Sequence, residues 1–363
     1  MSGVASARMV TLVRESRAWS QKTLATESGV SQGYLSKVES GQMDLSGDRL
    51  TAVAAALDCP VELLIDDARV RSLEITCLHH RRRRSKMTVA AKKKVEAVAN
   101  LTRISVEGLM AGVDIATIDR LARVDPKECG GPAGVARLLR ARWGLGDGPI
   151  PDMLQVLETL GVLVVVRPMG SNSQDAVSTW PSDADHPPIM IVNSGLSPDR
   201  ERFTVAHELG HLVMHRFPEE NQEREADQFA AELLVPSEQI QPFLEGLRSG
   251  DFRRLMELKA TWKVSIAMLI KRARDIGCIS ERQYKEFLIR LNQMGWRTNE
   301  PVDLPRESAT LVGELIRIHV QDHGYDLQRL AAAALMRPKA FQRNYLSESQ
   351  IPAASALRLV APQ

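Results

Sequence analysis

Along residues 5–67 the apolar positions recur every three or four residues, in short bursts broken by Gly and Ser. That spacing predicts small helices joined by tight turns. Leu24 and Ala25 supply the buried face of one helix, and Val30, Leu35 and Val38 that of the next. Ser20 is placed to cap a helix starting at Gln21, and Gly29 stands where the chain needs a left-handed turn residue. Ser31 then caps a second helix, Gln32 to Glu39, which stops before Gly41. From Arg69 to Asn100 the pattern is basic and non-periodic, turning helical near Val89–Ala99. The turn-rich DPKECGGPAG (125–134) precedes an amphipathic helix in GVARLLRARWGL.

From Ile150 the pattern alternates. Leu154–Leu160 is helical, GVLVVVRP reads as a buried strand, and AVSTWP and PPIMIVNS read as two more. FTVAHELGHLVMH and EENQEREADQFAAELLVP then give two helices, punctuated by Pro218 and Pro236. Helices continue to the end, with Pro301–Arg306 read as a linker before a helical tail. No repeat at a solenoid period is present.

Composition narrows the function classes. The net charge of +2 makes the whole chain no electrostatic nucleic-acid binder, so any such role needs a local patch. No apolar run approaches a membrane span, and the N-terminus does not read as a signal peptide, which gives the expectation of a cytoplasmic protein without a membrane partner. Four scattered cysteines, Cys59, Cys77, Cys129 and Cys278, read as reduced thiols rather than a disulfide framework. Cys77 with His79 and His80 lacks a companion cluster, and HHRRRRSK and AKKK read first as solvated charge with some reach to phosphates.

In the predicted helix pair, Gln32, Gly33, Ser36 and Lys37 lie outward at the start of the second helix. N-terminal residues of such a helix enter the major groove, where Gln, Ser and Lys suit base edges and phosphates. Residues 10–64, with SQKTLA, GVSQGYLSKVESG and LTAVAAALDCPVELLI, resemble the XRE/Cro-repressor helix-turn-helix family. The resemblance implies a five-helix domain with Gln21, Ser31, Gln32, Tyr34, Ser36 and Lys37 at the DNA surface, Tyr34 being partly structural, and binding to operator DNA as a homodimer.

The run AHELGHLVMHRF carries the second chemistry. His207 and His211 stand one helical turn apart, about 40° round the axis and roughly 6 Å along it, so both imidazoles reach one ion. Glu208 lies beside them, placed as general base, as in the HExxH pattern of zinc peptidases. His215 is about 12 Å along the axis from His207, too far to share that ion on a continuous helix. A glycine-bent route to a later histidine is closed, because Met214 and Phe217 stand where that pattern needs Gly and His. A third ligand must come from elsewhere. On the next helix Ala226, Phe229, Ala230, Leu233 and Leu234 mark a buried stripe, with Glu225 and Glu232 bordering one side and Glu223 and Asp227 the other. Periodicity leaves that choice open.

FTVAHELGHLVMH followed by EREADQFAAELLVP resembles the ImmA/IrrE family of metallo-endopeptidases, with the likeness reaching from Ala136 to Lys285. The resemblance implies a zinc ion, with manganese or another divalent ion also suited to such ligands. It implies His207, His211 and Glu225 as ligands, Glu232 as the second candidate for the third position, and Glu208 as general base. PPIMIVNS is the candidate edge strand for an extended substrate, and His186 and His215 are the weaker candidates for an oxyanion donor.

The expected protein is therefore multidomain. An all-α helix-turn-helix domain (5–68) precedes a basic linker and helical connector (69–130), an α+β zincin-like domain (131–300) and a mostly helical C-terminal region (301–363). Its expected function is a transcriptional regulator that cleaves a repressor, another regulatory protein or itself near the basic linker. The competing expectation is a repressor or antitoxin-like binder whose zincin fold senses or docks with little turnover.

Overall fold

The computed structural model describes residues 3–66, 74–75, 88–113, 121–169, 174–180, 187–215, 220–297 and 299–346. The basic run 79–86, Cys77, His79, His80 and His186 lie outside them. Five helices open the chain: α1 (Ala7–Ser16), α2 (Gln21–Ser28), α3 (Gln32–Glu39), α4 (Gly47–Ala56) and α5 (Val61–Ile65). The Ser20 hydroxyl accepts from the Thr23 amide at 3.0 Å, and Gly29 ends α2 in the left-handed conformation, φ 70°. Ser31 has the extended geometry of a cap, but its hydroxyl makes no capping bond. Leu24, Leu35, Val38, Val53 and Leu64 close the core of this domain.

The connector is more than a linker. Helix α6 (Val89–Met110) is buried on several sides. Ile104 enters the core of the N-terminal domain, while Val95, Ala99, Val106 and Leu109 pack in a second core against the sheet. Lys93, within AKKK, reaches back to Glu15 of α1 at 2.9 Å. Then come α7 (Pro132–Arg142) and α8 (Met153–Thr159).

The sheet contains β1 (Glu74–Ile75), β2 (Leu163–Arg167), β3 (Ala176–Trp180) and β4 (Ile189–Asn193) in the order β1-β3-β4-β2. β4 runs parallel to β2 and antiparallel to β3, which pairs antiparallel with β1. Strand β4 is thus interior, which corrects the reading of PPIMIVNS as an edge: its backbone groups are taken on both sides. Side chains alternate between two buried faces. Val164, Ala176, Met190 and Val192 join the core that carries the candidate site. Leu163, Val165, Val177, Ile189 and Ile191 face the second core. Two buried faces explain why these strands read as continuous apolar runs.

The first face is covered by α9 (Pro198–Met214), α10 (Gln222–Leu234), α11 (Ser237–Leu244), α12 (Phe252–Trp262), α13 (Ile266–Asp275) and α14 (Glu281–Gln293). The second is covered by α6 with α15 (Leu311–Gln321), α16 (Leu327–Ala333) and α17 (Pro338–Tyr345). The non-helical segment between α14 and α15 is pinned by its acids. Glu300 accepts from the Ile266 and Ala267 amides and from Lys259, and Glu307 binds Arg202 and the Met153 amide. Glu158 in turn accepts from the Thr310 and Leu311 amides at the start of α15. Among the described residues, no helix is long and apolar enough to cross a membrane.

Candidate metal centre

Helices α9 and α10 form an antiparallel hairpin whose contact is set by size. Gly210 lies against Phe229; a Cβ built there would stand 2.9 Å from the ring and 3.4 Å from the Ala226 Cα. Only a hydrogen at that position lets the two helices approach this closely, which offsets the roughly 1 kcal/mol that glycine costs inside a helix. The close approach brings the acids of α10 to the histidines of α9.

The Nε2 atoms of His207 and His211 face each other at 3.1 Å. Glu223 completes the group, with its carboxylate 3.4 Å from His211 Nε2 and 3.7 Å from His207 Nε2. Donors about 2.0–2.2 Å from one ion in a tetrahedral shell stand about 3.3–3.6 Å apart. The Nε2–Nε2 separation, the separation of Glu223 Oε1 from His211 and that of Glu223 Oε2 from His207 each lie close to that spacing, so two imidazoles and one carboxylate are grouped closely enough to hold a small divalent cation. Among the described residues these three form the group of His, Cys, Asp and Glu close enough to hold an ion.

The atoms behind the ligands fix their orientation. Asp227, one turn after Glu223, meets His207 Nδ1 at 3.1 Å and Lys271 Nζ at 3.0 Å. Burial by itself would raise the Asp227 carboxyl, but its bond to His207, the charge of that ring when it is protonated, and then the Lys271 charge bring it down to about 2. A carboxylate on Nδ1 holds the proton there and presents Nε2 with its lone pair. A second relay backs His211, whose Nδ1 lies 2.9 Å from His215 Nδ1, while His215 Nε2 lies 3.1 Å from Glu225. One set of tautomers satisfies it: His215 donates from Nε2 to Glu225, His211 donates from Nδ1 to His215, and His211 Nε2 is left to accept the ion.

Glu225, which the family resemblance implied as a ligand, therefore meets His215 and not the His207–His211 pair. The physical reason is helical phase: residues 223 and 225 are separated by 200° round the axis and flank the stripe on opposite sides. Glu232, the second candidate, is consumed elsewhere. It is buried and bound by Arg272, by Arg137 at 3.1 Å and by the Ser237 hydroxyl at 3.0 Å. Burial pushes its carboxyl up, yet these partners, Arg272 first, hold it below the usual value.

Glu208 is fully buried beside His207, and its carboxylate accepts from the Ser178 hydroxyl at 2.8 Å. Strand alternation places Ser178 on the same face as Ala176, toward α9. His215, one candidate oxyanion donor, has both nitrogens engaged behind His211. Ser178, Asp227, Lys271 and the His215–Glu225 relay were not singled out for roles in the sequence. The four-residue step from Glu223 to Asp227, matching that from His207 to His211, was the signal for Asp227.

In the N-terminal domain, Ser31, Gln32, Ser36 and Lys37 are exposed at the start and along one side of α3. Gln21 and Tyr34 are half-buried and partly committed to the fold. Gln21 donates to Glu39 at 2.9 Å beside the Arg14–Glu39 pair, and the Tyr34 hydroxyl donates to the Asp44 carbonyl at 2.5 Å.

Residues 12–64 match the family model of the helix-turn-helix, and residues 157–274 match that of the IrrE N-terminal-like domain, a peptidase family. No curated protein matches the chain at a significant level. The two matches fall on α1–α5 and on the stretch from α8 to α13 that holds the His207–His211–Glu223 group. This chain thus joins a helix-turn-helix domain of the XRE type to an ImmA/IrrE-like domain.

Proposed function

We propose that the protein is a DNA-binding regulator whose second domain is a metal-dependent endopeptidase acting on a regulatory protein. His207, His211 and Glu223 would hold the ion, zinc by the chemistry of two imidazoles and one carboxylate. When bound there, the ion supplies Lewis acidity to a substrate carbonyl and to a water molecule. Glu208 acts as the general base and then as the acid: it takes the proton from the attacking water and delivers it to the leaving amine. Ser178 fixes one oxygen of that carboxylate, and Asp227 and His215 keep the two ligand imidazoles in the Nε2-presenting tautomer.

The observation that carries this reading is the close grouping of His207, His211 and Glu223 with the buried carboxylate of Glu208 on the residue after the first histidine. A structural metal site has no use for Glu208. Strand β3 packs against α9, and Glu74–Ile75 from the linker pairs on its outer side with Trp180 and Thr179. An extended segment added to an edge strand is how many proteins take up a peptide. The linker of the chain itself is accordingly the first substrate to test, followed by repressors encoded nearby.

The experiment compares the wild-type protein with Glu208→Gln, each loaded with zinc, alone and with those repressors. A fragment produced by the wild type and absent with the variant supports the proposal. Stoichiometric zinc in both proteins with no Glu208-dependent fragment from any of these substrates would replace the peptidase by a sensing or docking domain.

A further inference from the structure

A cleft enclosing about 290 Å³ opens between the DNA-binding domain and the C-terminal helices, far in sequence from the HExxH helix. One wall comes from the end of α1 and the α4–α5 turn, and the other from the α16–α17 turn and α17. Helix α6 forms the floor, with Leu101 and Ile104 among its apolar residues. Four guanidiniums line it, those of Arg17, Arg167, Arg337 and Arg343, and they face a single carboxylate, Asp58.

The charge balance is the informative feature. Asp58 is already shared, lying 3.5 Å from Arg17 and 3.6 Å from Arg337. Arg337 also donates to the Cys59 and Ala54 carbonyls. Arg167, at the end of β2, donates one N–H to Thr102 at 2.9 Å, but its Nε is buried with no hydrogen-bond partner. Arg343 forms no ion pair among the described residues. Burial, and then the repulsion from Arg343, lower the Arg167 pKa, whereas nearby Tyr345 raises it. Two cations turned to one space with no counter-charge are stabilised when an anion enters between them. Cys59 on the same wall supplies no thiolate, since burial pushes its thiol up to about 12.

We propose that this cleft binds a small amphipathic oxyanion: a carboxylate or phosphate head held by Arg167 and Arg343, on a compact apolar body lying against Leu101 and Met336. Its two walls belong to different parts of the chain, so the occupant ties the DNA-binding domain to the C-terminal helices. Binding energy there fixes their relative placement, which makes the cleft an effector site for the regulator.

The test titrates 1-anilinonaphthalene-8-sulfonate into the full chain and follows its fluorescence. One saturable site is expected, displaced by octanoate or by octyl phosphate, whichever head group the cleft prefers. Arg167→Gln with Arg343→Gln should weaken the probe by at least about tenfold, the loss expected of charge-assisted hydrogen bonds. Arg343 is exposed, so Arg343→Gln alone keeps the fold and should still weaken binding. Arg282→Gln, which removes an exposed charge on α14, should leave it unchanged. Absence of saturable binding, or equal weakening by all these variants, overturns the proposal. So does displacement by duplex DNA with no effect of either small competitor, which would make the cleft a phosphate-backbone contact.

Discussion

Replacing Glu223 or Glu225 by alanine, one at a time, tests the architecture of the metal centre most directly. The carboxylate of Glu223 lies 3.4 and 3.7 Å from the two facing Nε2 atoms, whereas Glu225 reaches the site only through His215 and then His211. Zinc binding to a structural protein site releases about 10–16 kcal/mol, so one of three protein donors is worth roughly 3–5 kcal/mol. Glu223→Ala should therefore weaken zinc binding roughly 140- to 4,000-fold, at about 1.4 kcal/mol per factor of ten. A group that supports a ligand from behind contributes about 10- to 100-fold. Glu225 stands one imidazole further back than that, which places Glu225→Ala near the lower end. The assay is competition between the full chain and a chromophoric chelator for zinc, with far-ultraviolet circular dichroism to confirm that both variants are folded. If Glu225→Ala loses more affinity than Glu223→Ala, the ligand set drawn from the geometry is wrong and the one implied by family resemblance is right.

Three more tests reach other parts of the argument. Glu232→Gln leaves the buried Arg272 without its carboxylate and should destabilise the fold by about 3 kcal/mol at neutral pH, read from denaturant midpoints. The Glu232 carboxyl is lowered in the fold, so its stabilisation is in place above the ordinary glutamate value of about 4.3 and is lost as pH falls through the lowered value. The variant should show a flatter acid limb, and parallel limbs would refute the assignment. Gly210→Ala gains about 1 kcal/mol of helix propensity but drives a methyl into the fully buried Phe229 ring, at a cost of about 1–3 kcal/mol. A lower denaturant midpoint together with weaker zinc binding is expected; an unchanged midpoint would mean that the helices have room to spare. Gln32→Ala with Lys37→Ala should weaken duplex DNA binding and reduce its salt slope by about 1 while zinc content stays level. Undiminished binding would reduce α3 to a packing element.

Local chemistry was legible residue by residue. Ser20, Gly29 and Gly41 bounded the first helices because capping and left-handed turns are short-range demands. The four-residue step of His207 and His211 put both imidazoles on one face, since an isolated helix has one geometry. The stripe Ala226, Phe229, Ala230, Leu233 and Leu234 is as buried as its period required. What one element demands of itself can be read from its own residues.

Questions of pairing were settled only in three dimensions. A stripe with acids on both borders does not say which acid meets the His207–His211 pair; the crossing of the two helices at Gly210 and Phe229 does, and it brings Glu223 to that pair and Glu225 to His215. Strand PPIMIVNS has the composition of an edge or a centre alike, and its neighbours β3 and β2 made it the centre. Glu232 carries a ligand's side chain, but Arg272 and Arg137, distant in sequence, claimed it for an ion pair. Helix α6 looked like a connector because its partners lie on both sides of it in the chain, and it became the floor between two cores. The sequence by itself determined the elements and the inventory of chemistry, because these depend on dihedral preference, period and residue type. Only the tertiary structure decided which groups meet, because a bond or an ion needs atoms within a few ångströms and that distance is set by packing between elements.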